Sequence, residues 1–305
     1  SPLLQATASV ASQPVPPALD VFQQGVSIDW QTLAPATLSA SAYADLRACP
    51  YRFYGTRILG LHDADELDET VDKRDFGTWL HGTLYRFHEA LKHEPTLDRV
   101  ITINACAAAE QASMGLDDAA FLPFALIWPK TREAYLAWLT KHEASGASYV
   151  SGEVKKSFPI TVEGKTVNLV GTLDRIDTDD SAGGAHWLLD YKTESLDKTK
   201  KRIKNADEDT QLAFYAALVS NDASPSSPPD APLRAAYINL VERAKGVQST
   251  QTLELQELEQ RRDDLLDGIW VDLSNMAAGQ ALRALGEGDA CTYCQVRGLC
   301  RKDFV

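Results

Sequence analysis

Three residues on predicted strands have the types and spacing needed to hold a metal ion and assist a hydrolysis. Asp174 lies in one strand-like segment, and Asp190 and Lys192 lie in the next. Side chains alternate along a strand, so Asp190 and Lys192 share one face. A carboxylate and an ammonium at the end of an apolar strand are costly to bury unless they pair or bind a ligand. The pattern therefore indicates either a structural ion pair or a reactive site.

Metal-dependent phosphodiester hydrolysis is the chemistry that fits this set. Carboxylates from two strands could hold Mg2+ or Mn2+, which prefer oxygen ligands. Such an ion polarises a phosphate and lowers the pKa of a water molecule. Lys192 could orient the attacking water or stabilise charge on the phosphate. Asp177 lies three residues after Asp174, so the two should face opposite sides of the strand and only one can join Asp190. We predict that it is Asp174, which follows Gly171 and Thr172.

Four further residues are candidates for the same site. Gln211 and Tyr215 stand four apart in a helical segment and therefore share a helix face, from which they could reach a phosphate or pack. His81 lies beside the apolar stripe of an earlier helix, where it could be a metal ligand or a hydrogen-bonded core residue. Glu153, on the first predicted strand, could be a ligand or an ordinary solvent-facing residue.

Cysteines form a second candidate site. Cys291, Cys294 and Cys300 have the spacing C-x2-C-x5-C, and Cys49 stands alone near the other end of the chain. A triplet of this kind lacks a fourth ligand, which Cys49 could supply. Thiolates at this spacing suit an iron–sulfur cluster or zinc, and either would join the two ends of the chain. Cys106 lies in an alanine-rich helical stretch and is predicted to be a packing residue.

Composition narrows the class of protein. The chain has 305 residues, of which 44% are hydrophobic, enough for a sizeable core. It contains no run of about 18 apolar residues, so no membrane span is predicted. A metal-spaced cysteine set with an odd total fits a reducing compartment, and we expect a cytoplasmic location.

The net charge and the distribution of charge along the chain point to different functions. A net charge of −13 argues against a protein with one strongly basic face for nucleic acid. A basic run nevertheless follows Asp190, and it is either a solvated face or a binding surface. Its members are Lys192, Lys198, Lys200, Lys201, Arg202 and Lys204.

Periodicity predicts the elements that must position these residues. Residues 1–37 are rich in Ala, Pro, Ser and Gln and indicate a lead-in or linker. Acidic residues mark a loop at 62–72, and Pro and Ser mark another at 224–229. Helices are predicted at 76–92, 98–114, 122–144, 207–220 and 253–285, and strands at 149–162, 165–177, 186–191 and 233–241. This order predicts an α/β core with a helical layer and a metal-bound rim.

The order of these motifs resembles the PD-(D/E)XK nuclease superfamily, in its RecB-like branch. The four cysteines narrow the resemblance to iron–sulfur nuclease domains of the AddB type. Residues 38–54 and 76–82 look like the same family, and the resemblance covers about residues 37–302. It implies a restriction-endonuclease-like mixed sheet flanked by helices, in a single domain at 38–305. A helical insertion is expected at about 94–145.

The resemblance also implies cofactors and residue roles. A [4Fe–4S] cluster would join the N- and C-terminal parts of the domain. A Mg2+ or Mn2+ ion would be held by His81, Asp174, Asp190 and the backbone carbonyl of Tyr191, with Glu153 as a further candidate. Lys192 would be the catalytic lysine, and Gln211 and Tyr215 would position the DNA. The cluster ligands would be Cys49, Cys291, Cys294 and Cys300.

The implied function is a DNA nuclease that acts on single-stranded ends in recombinational repair of double-strand breaks, beside an AddA-type helicase–nuclease subunit. No G-x4-G-K-[ST] phosphate loop is present, so this chain is not the motor. The Ser start and the Pro-rich lead-in predict an excised domain. Two alternatives stay open: an iron–sulfur exonuclease of CRISPR adaptation, and a non-catalytic DNA-binding module with a structural cluster.

Overall fold

The computed structural model describes residues 25–62, 73–179, 181, 183–205, 209–220, 232–243, 247–300 and 302. Residues 1–24 of the predicted lead-in, most of the predicted acidic loop and the predicted loop at 224–229 lie outside the described residues. The helices are α1 Trp30–Leu33, α2 Ala40–Ala48, α3 Pro50–Phe53, α4 Lys73–His93, α5 Arg99–Ser113, α6 Asp118–Ala144, α7 Leu196–Lys204, α8 Gln211–Ser220, α9 Leu258–Ala277, α10 Asp289–Thr292 and α11 Arg297–Cys300. The strands are β1 Thr37–Ser39, β2 Ala147–Val162, β3 Lys165–Asp179, β4 Ala185–Lys192, β5 Leu233–Arg243 and β6 Val247–Glu254.

A mixed sheet of six strands forms the centre of the fold. Its order is β1-β3-β4-β5-β6, with β2 paired to β3 outside this path. The β1–β3 and β4–β5 pairs are parallel, and the β2–β3, β3–β4 and β5–β6 pairs are antiparallel. The predicted mixed α/β architecture, a sheet flanked by helices, is confirmed. No helix in the described ranges is both long and apolar enough to cross a membrane.

Helices cover both faces of this sheet. On one face α4, α5 and α6 form an apolar layer, and Trp79, Phe87 and Leu139 are each fully buried there. On the other face α2, α8 and α9 pack against the sheet, with Phe214 and Ile269 fully buried. The buried side chains of α4 and α6 recur every three or four residues, so burial of these sides fixes the two helices against the strands.

The two ends of the described chain pack together. Val26 and Leu282 form an antiparallel bridge, and the backbone N–H of Tyr51 donates to the carbonyl of Arg283 (3.1 Å). Trp30, which belongs to the segment predicted as lead-in, is buried in the core. Residues 25–37 are therefore part of the packed fold.

The predicted helix at 253–285 is wrong at both ends. Its first residues belong to β6, where Leu253 pairs with Tyr237 of β5. The helix α9 begins at Leu258 and ends at Ala277, and Gly279 then takes a left-handed backbone conformation with φ +82°. That conformation ends helices readily because glycine has no side chain to oppose it. Neither β6 nor the short strand β1 was predicted.

A buried polar network joins the helical layer to β3. Arg175 is 1% exposed and donates to both carboxylate oxygens of Asp177 at 2.7 Å each. It also donates to His88 (2.7 Å) and Tyr135 (3.1 Å), while His142 contacts Asp177 at 2.8 Å. Burial alone would raise the pKa of Asp177, but the Arg175 guanidinium outweighs it and lowers the pKa. The network fixes β3 immediately after Asp174.

Candidate active site and metal centre

Three elements bring a possible metal-binding group together. His81 on α4, Glu153 on β2 and Asp174 on β3 each offer a ligand atom, and these atoms all lie within 4.8 Å of one another. His81 Nδ1 is 3.3 Å from Asp174 Oδ2. One imidazole nitrogen and two carboxylates form a donor set that suits Mn2+ or Mg2+. The residues present therefore fit the metal that the motif implies.

An irregularity in β2 places Glu153 in this group. Gly152 pairs with Arg175 and Val154 with Leu173, which puts Glu153 level with Asp174 in the sheet. The backbone of Glu153 has φ +48°, a left-handed conformation that is strained for a residue with a side chain. A Cβ on Gly152 would lie 2.9 Å from the Asp174 carbonyl oxygen, so only glycine permits this approach of the strands.

Asp190 is held by a polar cluster on the α8 side of the sheet. It is 2% exposed, and its Oδ1 accepts a hydrogen bond from Gln211 Nε2 (2.7 Å). Lys192 Nζ lies 2.6 Å from Asp190 Oδ2 and donates to Gln211 Oε1 (2.8 Å). Gln211 Nε2 also contacts the hydroxyl of Tyr215 (2.9 Å). The residues proposed from sequence for roles around the phosphate are thus connected by direct contacts.

Tyr191 connects this cluster to the metal-binding group. Its backbone N–H donates to Asp174 Oδ2 (2.9 Å), and its carbonyl oxygen lies 3.1 Å from His81 Nε2. Its side chain points to the other face of the sheet, where its hydroxyl contacts Tyr135 (3.0 Å). Asp177 lies on that other face, away from the site. The structure therefore brings together every residue predicted for this site and separates Asp177 from them.

The electrostatics of the site favour bound protons when no metal is present. Burial alone would lower the pKa of His81, but the carboxylate of Asp174 outweighs it and raises the pKa to about 9. Burial raises the pKa of Asp190 to about 6, and burial together with Asp174 raises the pKa of Glu153. Because folding raises these pKa values, the site stabilises the metal-free folded protein at low pH. That contribution to the free energy of unfolding is lost as pH rises through about 6 and then about 9.

We predict from these shifts that Mn2+ binds more tightly as pH rises. A metal requires neutral His81 and ionised carboxylates, so each bound ion must displace protons between about pH 6 and pH 9. Calorimetric titration at pH 6.5, 7.5 and 8.5 should show affinity rising by up to about tenfold per pH unit. His81→Gln should remove most of the dependence above pH 7. An affinity that stays constant over this range would contradict the assignment of His81 as a ligand.

Tyr237 is a residue of this site that sequence reasoning missed. It lies on β5 level with Asp190, and Lys192 Nζ is 4.9 Å from the centre of its ring. Its hydroxyl donates to Asp209 Oδ1 (2.6 Å), which precedes α8 and Gln211. The aromatic face attracts the ammonium and holds it beside Asp190. No sequence signal identifies Tyr237, because the parallel β4–β5 register cannot be read from the chain.

For phosphodiester hydrolysis at this site, we predict that Tyr237→Leu lowers the rate roughly tenfold, since a desolvated cation–π contact contributes up to about 2 kcal/mol. Tyr237→Phe keeps the ring face and should lose less. Single-turnover rates of both variants on a labelled oligonucleotide measure the difference. Equal losses in the two variants would mean that the hydroxyl, and not the ring, is what matters.

The four predicted cluster cysteines line one cavity at the rim of the fold. Cys49 is buried, and Cys291, Cys294 and Cys300 are partly buried. A Cβ built on Gly286 would lie 3.3 Å from Cys291 Sγ and 3.4 Å from Cys49 Sγ, so glycine keeps space open between these sulfurs. Burial raises the pKa of the Cys294 and Cys300 thiols.

The distances between the sulfurs of these four cysteines can be compared with those around a zinc ion. Thiolates bound at 2.3 Å to one tetrahedral zinc ion lie about 3.8 Å apart. Among the described residues, no three of the cysteine sulfurs form a group as close as the ligand atoms of His81, Glu153 and Asp174, which lie within 4.8 Å of one another. The four sulfurs thus line a common cavity without forming a close donor group there. Cys106 lies on α5, apart from this cavity.

Comparison with known proteins identifies the family. Residues 37–301 match the family model of the PD-(D/E)XK nuclease superfamily. An uncharacterized protein of Rickettsia bellii is 24% identical over 260 residues, covering 77% of this chain and 29% of that protein. An uncharacterized protein of Rickettsia typhi is 25% identical over 175 residues, covering 56% of this chain and 20% of that protein. The chain thus spans less than a third of the length of these curated relatives.

One solved structure aligns with the chain at a low TM-score. The crystal structure of SSO0001 has 15% sequence identity and a TM-score of 0.33, and the match covers 87% of this chain and 85% of that one.

Proposed function

The chain belongs to the PD-(D/E)XK nuclease superfamily, and we propose that it is a Mg2+- or Mn2+-dependent DNA nuclease that cuts phosphodiester bonds at the His81–Asp174–Asp190 site. The observation that carries this proposal is the convergence of metal-suited donors from α4, β2 and β3 beside the paired Asp190 and Lys192. A structural ion pair alone would not require the strained backbone of Glu153 or the imidazole of His81.

The residues have distinct roles in this proposal. His81, Glu153, Asp174, Asp190 and the carbonyl of Tyr191 are the groups that would hold the metal. When bound, the metal would polarise the phosphate and acidify a water molecule. Lys192 neutralises charge that develops on the phosphate oxygens, because its ammonium is fixed between Asp190 and Gln211.

Two other residues set the position of these groups. Gln211 holds both Asp190 and Lys192 through its amide, and it also contacts Tyr215, whose hydroxyl faces the same cluster. In this proposal Tyr215 contacts the substrate strand. The amide of Gln211 fixes the distance between carboxylate and ammonium, which matters because misplacement by about 1 Å can cost about 100-fold in rate.

The proposal is tested by cleavage of an end-labelled single-stranded DNA by the purified chain. We expect cutting in Mg2+ or Mn2+, no cutting in excess chelator, and a loss on the order of 100-fold or more in Lys192→Met. Far-ultraviolet circular dichroism of the variant controls for folding. Wild-type rates from Lys192→Met would overturn the role of the lysine, and cutting that persists in chelator would overturn the metal-dependent mechanism.

We further propose that the chain is an AddB-type domain that acts on single-stranded DNA ends during recombinational repair, with an AddA-type helicase–nuclease as its partner. The order of motifs and the four-cysteine arrangement support this assignment, as does the much greater length of the relatives. Co-purification of the protein with a P-loop helicase from its own cells tests the partnership. Recovery without any P-loop helicase would count against it.

A [4Fe–4S] cluster at the four-cysteine cavity is part of this proposal. The thiols of Cys49, Cys291, Cys294 and Cys300 line one cavity, and a cluster takes one thiolate at each iron. We expect anaerobically purified protein to be brown, and Cys291→Ala to lose both the colour and thermal stability. Cys106→Ala is the matched control and should keep both. A colourless protein with an unchanged melting temperature in Cys291→Ala would overturn the cluster.

A further inference from the structure

A groove of about 1060 Å³ opens beside the proposed catalytic cluster. Gln211 and Tyr215 line it, so it adjoins the site at the N-terminal half of α8. One wall comes from the β1–α2 junction, where Ser39 and Ser41 lie, and the other wall is α7. Gly171 of β3 lies between the two walls. A Cβ built on Gly171 would lie only 2.8 Å from Leu218 Cδ1, so a larger residue would not fit there. The groove is therefore continuous with the site rather than a separate cavity.

One side of α7 faces this groove. Residues 197, 198, 201, 202 and 205 line it, which is the spacing of a single helix face. Lys200 and Lys204 are exposed on the same helix but do not line the groove. The helix is held against the sheet by Asn239, whose side chain donates to the buried Thr199 (2.8 Å). The groove wall is thus a fixed surface.

Lys198 and Lys201 supply the positive charge of the groove. Arg202 also lines it, but its guanidinium is bound by the carboxylates of Glu194 and Asp209. Lys198 is 65% exposed and has only a loose contact to Glu194 at 3.4 Å, and Lys201 is exposed. Ion pairs this exposed are weak, so both ammonium groups can engage a ligand. Asp197 offsets part of this charge. The other lining carboxylates are paired with arginines, Asp45 with Arg52 and Arg57, and Asp209 with Arg202.

The rest of the lining identifies the class of ligand. Ser39, Ser41, Thr172 and Asn205 offer hydroxyl and amide groups, which together with lysine are common partners of phosphate and sugar in nucleic-acid complexes. Tyr215, at the end next to the site, is the aromatic residue in the lining. A surface of this kind contacts a backbone and does not stack bases.

We propose that the groove between α2 and α7 holds the single strand that leads to the scissile phosphate, with its phosphates bound by Lys198 and Lys201. This inference rests on the proposed nuclease function, because it takes the groove to deliver substrate to Asp190 and Lys192. It assigns sequence-independent binding of a single strand to one face of one helix. Recognition through the backbone explains how a chain with net charge −13 could still hold DNA at this site.

The test compares two pairs of lysines on the same helix. Lys198→Ala/Lys201→Ala removes the groove-facing charges, and Lys200→Ala/Lys204→Ala removes the same number of charges outside the groove. Binding of a labelled oligo-dT strand is measured by fluorescence polarisation in excess chelator, so that no cleavage is needed. We expect the groove pair to weaken binding about tenfold and to reduce the salt slope of log K by about 1.4, at 0.7 for each phosphate contact.

Two outcomes overturn the inference: equal losses in both pairs, and no binding of the strand by wild-type protein at low salt. Tighter binding of a duplex of the same length through Lys198 and Lys201 overturns the single-strand assignment. Failure of the nuclease proposal is distinguishable from these. A wild type that binds through the groove pair but never cuts in Mg2+ or Mn2+ would sink the proposed catalysis while leaving the groove assignment in place.

Discussion

Asp190→Asn should lower the rate of DNA cleavage on the order of 1000-fold or more without lowering the stability of the metal-free protein. The carboxylate is buried between Lys192 and Gln211, where asparagine has the same shape but no charge. A metal contributes several kcal/mol of transition-state stabilisation, and each 1.36 kcal/mol is a factor of ten in rate. Single-turnover cleavage in saturating Mn2+ and urea unfolding in chelator measure the two quantities.

The expected stability of Asp190→Asn follows from the raised pKa of Asp190. Burial raises the pKa of Asp190 to about 6, so the ionised carboxylate is disfavoured in the folded metal-free protein at pH 7.5. A neutral amide avoids this cost. Asp267→Asn, at an exposed position of α9, is the matched control and should change neither quantity. Cleavage by Asp190→Asn at a rate within tenfold of wild type would contradict the role of this carboxylate.

Arg175→Met should lower the free energy of unfolding by about 3 kcal/mol or more. The substitution leaves Asp177, which is fully buried, without the guanidinium that contacts both its oxygens. Removing one partner of a buried ion pair costs about 3–5 kcal/mol because the other charge remains buried. It also removes donors to His88 and Tyr135. Urea denaturation followed by circular dichroism measures the change.

Arg99→Met provides the comparison for this effect. Arg99 pairs with Glu143 at 2.7 Å, but the two side chains are 39% and 37% exposed. An exposed pair contributes about 0–1 kcal/mol, so this variant should be close to wild type in stability. If Arg175→Met were no more destabilised than Arg99→Met, the buried network would not be what fixes β3 behind Asp174.

Local patterns were enough to predict which face of its strand each of these candidate residues occupies. Alternation predicted that Asp190 and Lys192 share a face, and the spacing of Asp174 and Asp177 predicted that only one joins them. The structure has the same arrangement, with Asp177 bound to His142 on the opposite face. These predictions depend only on the period of a strand, which is a property of neighbouring residues.

Features that depend on long-range pairing could not be predicted in the same way. Tyr237 lies level with Asp190 only because β4 and β5 pair in parallel, and the position of Glu153 depends on a local irregularity of β2. Arg175 and Asp177 could equally have been exposed residues of an edge strand. Residues 253 and 254 of β6 were assigned to a helix because the pairing of β6 with β5 is not visible from local periodicity.

The most direct test of the account is cleavage of one labelled single-stranded oligonucleotide by wild-type protein and by Asp174→Asn, side by side, in Mn2+ and in excess chelator. Asp174 is the residue that contacts both His81 and the backbone of Tyr191, so it joins the two halves of the site. The account predicts cutting by wild type in Mn2+ alone and loss of that cutting in the variant. Equal cutting by both proteins, or no cutting by folded wild type saturated with Mn2+, would contradict it.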